Sequence, residues 1–134
     1  MQVITLDAIM AGIREKVSAD YDLVIAIERG GVLPGCLAAR WLNIPLFLLS
    51  ISFRDDNNRP CTSVPVLIRG LECPVKGRRI LLADDVSNSG ATLKRAREEL
   101  AGASVTTLVI SGSADISLFG PHTECIFWPW SREQ

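Results

Sequence analysis

One stretch of the sequence, Arg79 to Leu93, constrains the fold more than any other. It opens with a short apolar run, Ile80 to Ala83, whose length and bulky residues predict a strand buried on both faces. The run ends at two acids, Asp84 and Asp85, followed by a turn of small polar residues from Ser87 to Gly90, after which a helical pattern begins. A strand, a turn and a helix in this order are typical of α/β proteins.

The turn and the start of its helix predict an anion site. Free backbone N–H groups at a helix N-terminus point towards one spot, and serine and threonine hydroxyls add further donors. The two carboxylates beside this spot would repel a phosphate, and they suit hydroxyl groups or a divalent cation instead. A ribose 5-phosphate, with or without magnesium, meets both requirements because it carries a phosphate at one end and a diol beside it.

Length and composition favour one globular domain over residues 1–134. With 48% hydrophobic and 22% charged residues, the chain can form one sizeable core and is not typical of disordered proteins. The net charge of −1 gives no reason to expect a nucleic-acid partner. The four cysteines lack metal-ligand spacing, which favours reduced thiols. Because no apolar run is long enough to span a membrane and no signal peptide is evident, we expect a soluble, cytoplasmic protein.

A second strand–turn–helix unit lies in the first third of the chain. Leu23 to Ile27 predicts a buried strand, Glu28-Arg29-Gly30-Gly31 a turn, and Val32 the start of a helix. Alternating strands and helices predict an α/β fold, a mostly parallel sheet with helices on both faces, in which both turns face one pocket. Paired glycines let a backbone approach an anion closely, and Arg29 could add charge-assisted hydrogen bonds. A plain turn with a solvated arginine is the alternative.

The segment from Ile80 to Leu93 resembles the signature of the type I phosphoribosyltransferases: a hydrophobic strand, two acids, and a turn with Ser or Thr, Gly and Thr. Glu28 to Gly31 is similar to the diphosphate loop of that family. The resemblance implies the type I phosphoribosyltransferase fold and transfer between 5-phosphoribosyl 1-diphosphate (PRPP) and a nitrogenous, purine-like base, with Mg²⁺ as cofactor. It also implies a homo-oligomer, a dimer or tetramer, and a strained Glu28–Arg29 peptide, of which a cis bond is one form.

The resemblance assigns roles to five groups of residues. The catalytic group would be Asp84, Asp85 and Asn88, with Asp84 and Asp85 holding the metal and the ribose hydroxyls. The 5-phosphate would lie against Val86, Ser87, Asn88, Ser89, Gly90, Ala91 and Thr92. The diphosphate would lie against Glu28, Arg29, Gly30 and Gly31. A lid over the diphosphate would use Ser52, Arg54 and Arg59, although an ordinary surface loop explains that segment equally well. The base would be flanked by Ile126, Phe127 and Trp128, whereas covering of the core or of a sheet edge explains Trp130 better.

Two departures from the 6-oxopurine members alter the base side of the site. Asn88 stands where those members carry an Asp as proton acceptor, and an amide cannot take the proton of the base at neutral pH. The strand from Val109 to Gly112 offers no lysine for the purine oxygen. Two alternatives therefore stay open: a non-catalytic module that binds nucleotides or phosphoribosyl groups on the same fold, and a subunit whose base pocket is completed by a partner chain.

Overall fold

A computed structural model describes residues 1–52, 65–71, 73–121 and 124–132 of the chain. Over these residues it contains three helices and eight strands. Their order is β1 (Gln2–Val3), α1 (Leu6–Lys16), β2 (Leu23–Glu28), α2 (Val32–Leu42), β3 (Leu46–Ser52), β4 (Val66–Arg69), β5 (Arg79–Ser87), α3 (Ala91–Glu99), β6 (Ser104–Gly112), β7 (Ile116–Ser117) and β8 (Ile126–Phe127). Within the described ranges no helix is both long and apolar enough to cross a membrane.

Six strands form one sheet in the order β4-β3-β2-β5-β6-β7. All neighbours in it are parallel except β3 and β4, which are antiparallel. The mostly parallel sheet that the sequence predicts is therefore confirmed. Because β2 and β5 are adjacent and parallel, with Ala26 opposite Ala83, the turns that follow these two strands lie at the same edge of the sheet.

Helices cover both faces of the sheet, as predicted. Successive residues of a strand point to opposite faces, and here both sets are buried. On one face α1 and α2 pack on the sheet through Ile9, Ile13, Ala38 and Ala39, against Val24, Leu81, Ala83, Leu108 and Ile110. On the other face α3 packs through Leu93, Ala96 and Leu100, against Leu23, Ile25, Ile27, Ile80 and Leu82. The central strands are thus held rigidly between two apolar layers.

The central strand is longer than the sequence predicts. The apolar run was expected to end at Asp84, with a turn from Ser87, but β5 continues through Ser87 and pairs with β6 as far as Gly112. The expected start of the turn is therefore wrong, and the turn comprises only the residues from Asn88 to Gly90. The reason is the partner strand: a Cβ atom at Gly112 would lie only 2.9 Å from the backbone nitrogen of Ser87, so glycine there lets the two strands stay paired.

The C-terminal segment is extended over a short stretch only. Ile126 and Phe127 form β8, which pairs in parallel with β1 in a small second sheet. After β8 the chain turns, because the backbone N–H of Ser131 donates to the carbonyl of Trp128 at 3.0 Å and the N–H of Trp128 donates to the Ser131 hydroxyl at 2.9 Å. The two termini of the described chain are therefore joined beside the main sheet.

Candidate functional site

The two turns that the sequence singles out meet at the carboxyl edge of β2 and β5. A Cβ atom at Gly30 would lie 2.5 Å from both carboxylate oxygens of Asp85. A Cβ atom at Gly31 would collide with the carbonyl oxygen of Ala83 and lie 2.8 Å from that of Ile27. Only glycines allow this close approach. The peptide between Glu28 and Arg29 is cis, which is the form that the family resemblance allows for.

The turn after β5 forms a small polar cavity. Its volume is about 190 Å³, and it is lined by Asp84, Val86, Ser87, Asn88, Ser89, Gly90, Ala91, Thr92 and Leu93. All seven residues predicted to bind phosphate therefore lie around one cavity. Gly90 precedes α3 with φ of +79°, a left-handed conformation that favours glycine. The Ser89 hydroxyl accepts from the N–H of Ala91 at 3.3 Å.

Ser87 is an unusual member of this cavity wall. Its side chain is buried, and its Oγ atom has no hydrogen-bond partner within the described part of the chain. Buried hydroxyls are normally hydrogen-bonded, and an exception calls for an explanation such as a ligand or an ion. Ser111, another buried serine, donates its hydroxyl to the carbonyl of Gly120 at 3.0 Å. Ser111 can therefore serve as a control for Ser87, because both side chains are buried and the hydroxyl of Ser111 has a hydrogen-bond partner.

The two acids at the end of β5 have different surroundings. Asp84 is buried, and this burial, followed by the neighbouring charge of Asp85, raises the pKa of the Asp84 carboxyl to about 8. Asp84 Oδ1 accepts from the N–H of Asp85 at 2.9 Å, and Asp85 Oδ1 accepts from the N–H of Val86 at 2.7 Å. Burial therefore favours the protonated form of Asp84 when no metal is bound, and Asp85 is the acid that faces the loop at Gly30.

A larger, mostly apolar cavity lies on the other side of Asp85. Its volume is about 400 Å³, and its lining consists of Arg29, Gly30, Val32, Leu33, Cys36, Asp85 and Trp130. Trp130 is 46% exposed, so it does not belong to the core; the other expected role, covering of a sheet edge, stays a prediction. Its ring stacks on that of Trp128, with centroids 5.2 Å apart and planes 7° from parallel.

Of the three predicted base-flanking residues, Trp128 belongs to this stacked pair, and Ile126 and Phe127 precede it in β8. Ile126 and Trp128 pack against the apolar core next to α1 and α2, and Phe127 pairs with β1. Trp128 reaches the cavity beside Asp85 only through its stacking on Trp130, and none of the three residues is among the described residues that line it, so their role stays a prediction. No pattern in the local sequence predicts that Trp130 lines this cavity, because its position depends on the pairing of β8 with β1.

The predicted lid falls mainly outside the described residues. Arg54 and Arg59 are not among them, and of Ser52 only the backbone is described, which pairs with Val66 at the end of β3. The structure instead adds a residue that sequence analysis missed. Arg69, on β4, places its Nη2 atom 2.5 Å from both carboxylate oxygens of Glu28, the residue that opens the predicted diphosphate loop.

Comparison with known proteins identifies the family. The model of the phosphoribosyl transferase domain matches residues 3–113. The chain belongs to the phosphoribosyltransferase family. This match includes both turns and all of the strands that carry them, so the resemblance noted in the sequence is confirmed.

Individual relatives are distant. The chain is 28% identical to the orotate phosphoribosyltransferase of Saccharolobus solfataricus over 94 residues, which is 70% of this chain but only 44% of that protein. The purine phosphoribosyltransferase of Pyrococcus horikoshii has a similar structure, with a TM-score of 0.77, 23% identity, and coverage of 100% of this chain and 97% of that one. A hypothetical protein from Neisseria gonorrhoeae, solved with bound ppGpp, has a TM-score of 0.75 and 22% identity, covering 98% and 90%. At such identities the two structures establish the fold alone.

Proposed function

We propose that the chain is a magnesium-dependent phosphoribosyltransferase that transfers a 5-phosphoribosyl group between diphosphate and a nitrogenous base. The observation that carries the proposal is the meeting of two turns around Asp84 and Asp85. One turn forms a cavity of about 190 Å³ at the start of α3, and the other brings Gly30 against the Asp85 carboxylate. PRPP needs this order of groups: a phosphate site, a diol site and a diphosphate site.

The 5-phosphate would lie in the small cavity. The backbone N–H groups at the start of α3 and the hydroxyls of Ser89 and Thr92 are its proposed donors, since helix N-termini favour anions. The Oγ of Ser87, buried there without a partner among the described residues, would gain an acceptor when an anion binds. A positively charged side chain is not needed for such a site, because the amide donors and the helix dipole act together.

The ribose hydroxyls and Mg²⁺ would lie at Asp84 and Asp85. Carboxylate oxygens are suitable ligands, and Mg²⁺ is usually held by one or two carboxylates together with the phosphates of a substrate. In keeping with this, no group of three or more acidic, histidine or cysteine side chains that could hold a metal occurs within the described ranges. The residues therefore fit a metal that arrives with PRPP. When bound, Mg²⁺ would neutralise charge on the departing diphosphate.

The diphosphate would lie against Arg29, Gly30 and Gly31. Arg29 is exposed and could donate charge-assisted hydrogen bonds to it. The reaction would then depend on positioning the sugar and on stabilising the charges that develop, rather than on a covalent enzyme intermediate. The protein would hold the diphosphate and the 5-phosphate at fixed places on either side of the two acids, so that the base can attack the sugar.

The base would approach from the aromatic side of Asp85. The apolar cavity there and the exposed face of Trp130 suit a planar ring. Asn88 can donate or accept a hydrogen bond, but it cannot take a proton from the base. We therefore infer a base that attacks without prior deprotonation by the enzyme, rather than hypoxanthine, guanine or xanthine.

The direct test is release of diphosphate from PRPP with a panel of bases, with and without Mg²⁺. We expect release with at least one base, dependent on Mg²⁺ and abolished by Asp85→Asn. Asp22→Asn is a matched control, because Asp22 pairs with Arg79 at the start of β5, the end opposite the two turns. Absence of PRPP binding in the wild type would refute the proposal.

A binding module is the second candidate. It is favoured by the similar structure from Neisseria gonorrhoeae, which holds ppGpp, and by Asn88. On this alternative the same two turns would bind the phosphate groups of a nucleotide without turnover. Tight binding of ppGpp or PRPP, with no diphosphate released in the presence of any base, would support the module and exclude the enzyme.

A further inference from the structure

The ion pair between Glu28 and Arg69 indicates a function for the edge strand. We propose that Arg69 is a positioning residue that neutralises the Glu28 carboxylate and holds it away from a diphosphate bound at Arg29 to Gly31; this rests on the proposed function. Glu28 is the last residue of β2 and directly precedes that loop. A carboxylate at this place is unfavourable for binding of an anion unless its charge is compensated.

Glu28 is the more buried partner of this ion pair. Its side chain is 16% exposed, against 62% for that of Arg69, and Arg69 Nη2 lies 2.5 Å from both carboxylate oxygens. Among the described residues, Arg69 is the only cation paired with Glu28. The two side chains border an open cavity of about 260 Å³, together with Phe47, Leu48 and Gly70. Glu28 is thus largely withdrawn from water and held by a single partner.

An irregularity in the sheet places Arg69 there. Glu28 lies opposite Ser50 on β3, and Ser50 lies opposite Arg69 on β4, so the ion pair spans three strands along one row. Ile51 pairs with Leu67, and a regular antiparallel register would therefore put Ile68 opposite Ser50. The register shifts between Ser50 and Ile51, and this shift brings Arg69 into the row instead of Ile68. Irregularities of this kind often aim a side chain at a functional site.

Stability alone does not explain the pair. Ion pairs in which one partner is mostly exposed contribute little to folding, so removal of Arg69 should leave the fold intact. Its removal would, however, leave the Glu28 charge uncompensated next to the diphosphate. The repulsion should weaken binding of diphosphate and PRPP by about tenfold, given the effective dielectric near a protein surface. Binding of ribose 5-phosphate, which lacks the diphosphate, should change much less.

The experiment is a double-mutant cycle on the full chain with Glu28→Gln, Arg69→Gln and both together. Affinities for Mg²⁺·PRPP, inorganic diphosphate and ribose 5-phosphate are measured by calorimetry. We expect Arg69→Gln to weaken binding of PRPP and diphosphate about tenfold, and the double variant to return to within about threefold of the wild type. Arg69→Lys, which keeps the charge, should also stay within about threefold and serves if Arg69→Gln does not fold. Arg79→Gln is the control, because Arg79 pairs with Asp22 at the opposite end of β5.

Four outcomes would overturn the inference. If the double variant binds PRPP as weakly as Arg69→Gln, Arg69 contacts the diphosphate itself and does not act through Glu28. If ribose 5-phosphate loses affinity by the same factor as diphosphate, the pair supports the fold rather than the loop. If the wild type binds PRPP but Arg69→Gln binds it equally well, the inference alone is wrong, whereas a wild type that binds no PRPP refutes the proposed function and this inference with it.

Discussion

The contact between the two turns can be tested by adding one methyl group at a time. Gly30→Ala and Gly31→Ala are adjacent and chemically identical, yet the structure predicts different results. Neither glycine has positive φ, so alanine is allowed at both positions and any effect is steric. At Gly31 the new Cβ would meet two backbone carbonyls, those of Ala83 and Ile27, which cannot move without disturbing the central strands. At Gly30 it would meet the carboxylate of Asp85, which can rotate away.

These contacts set the expected magnitudes. Overpacking against fixed groups costs about 1–3 kcal/mol or more, so Gly31→Ala should lower the free energy of unfolding by at least about 2 kcal/mol. Gly30→Ala should lower it by less than about 1 kcal/mol, because a partly exposed side chain can move at small cost and alanine restricts the unfolded chain. On the proposed function, the displaced Asp85 would no longer hold a ribose hydroxyl or metal, and we expect affinity for Mg²⁺·PRPP to fall about tenfold or more.

Urea unfolding and calorimetry with Mg²⁺·PRPP measure the two quantities separately. Gly70→Ala is the matched control: a Cβ at Gly70 would have its nearest neighbour at 3.9 Å, so this variant should match the wild type in affinity and be equally or slightly more stable. The reasoning is refuted if Gly30→Ala binds PRPP like the wild type. It is also refuted if Gly31→Ala is as stable as Gly70→Ala.

Three further predictions concern single residues of the site. Ser87→Ala should stabilise the isolated protein by about 1 kcal/mol in urea unfolding, because it removes a buried donor that lacks a partner among the described residues. The same variant should reduce the extra stability that phosphate confers. Ser111→Ala, which removes a bonded hydroxyl, should be destabilising. The folded-state pKa of Asp84, about 8, lies above its ordinary value of 3.8, so the protonated form of Asp84 favours folding. Without metal, the free energy of unfolding should therefore fall as the pH rises from about 4 to 8. The free energy of unfolding of Asp84→Asn, measured by denaturation, should depend less on pH. Asn88→Asp should lower the rate of diphosphate release with the native base, because its charge repels the base or the phosphate; a higher rate with a 6-oxopurine would instead indicate a lost general base.

The parts of the fold that the sequence predicts well are those set by local patterns. The strand from Leu23 and the helix from Val32 follow from an apolar run and a glycine turn. The buried face of α3 follows from the spacing of Leu93 and Ala96. At these positions the local preference and the tertiary environment agree, which is what makes a sequence easy to interpret.

The parts that escaped prediction depend on distant partners. The extra length of β5 comes from its pairing with β6 as far as Gly112, and no residue between Asp84 and Ser87 signals it. The pairing of Glu28 with Arg69 joins positions 41 residues apart through a register shift at Ser50. Trp130 reaches the site because the chain turns after β8. In each case two segments that are far apart in the sequence determine the position of a side chain.

The charges around the site also bear on the proposed need for magnesium. Asp84, Asp85 and Glu28 lie at one edge of the sheet. On the proposed function, the two ends of PRPP would bind on either side of Asp84 and Asp85, and the diphosphate end would lie next to Glu28. Without a ligand this charge is reduced, because burial favours the protonated form of Asp84 and Arg69 pairs with Glu28. A ligand that carries a phosphate and a diphosphate adds negative charge on both sides of the acids, and repulsion at these distances is strong when water is partly excluded. On the proposed function, Asp84 and Asp85 would hold a divalent cation that arrives with the ligand, and its charge would offset that of the diphosphate. Asp85, together with Asp84 once it has lost its proton, would therefore favour binding of the magnesium complex of PRPP over binding of PRPP alone.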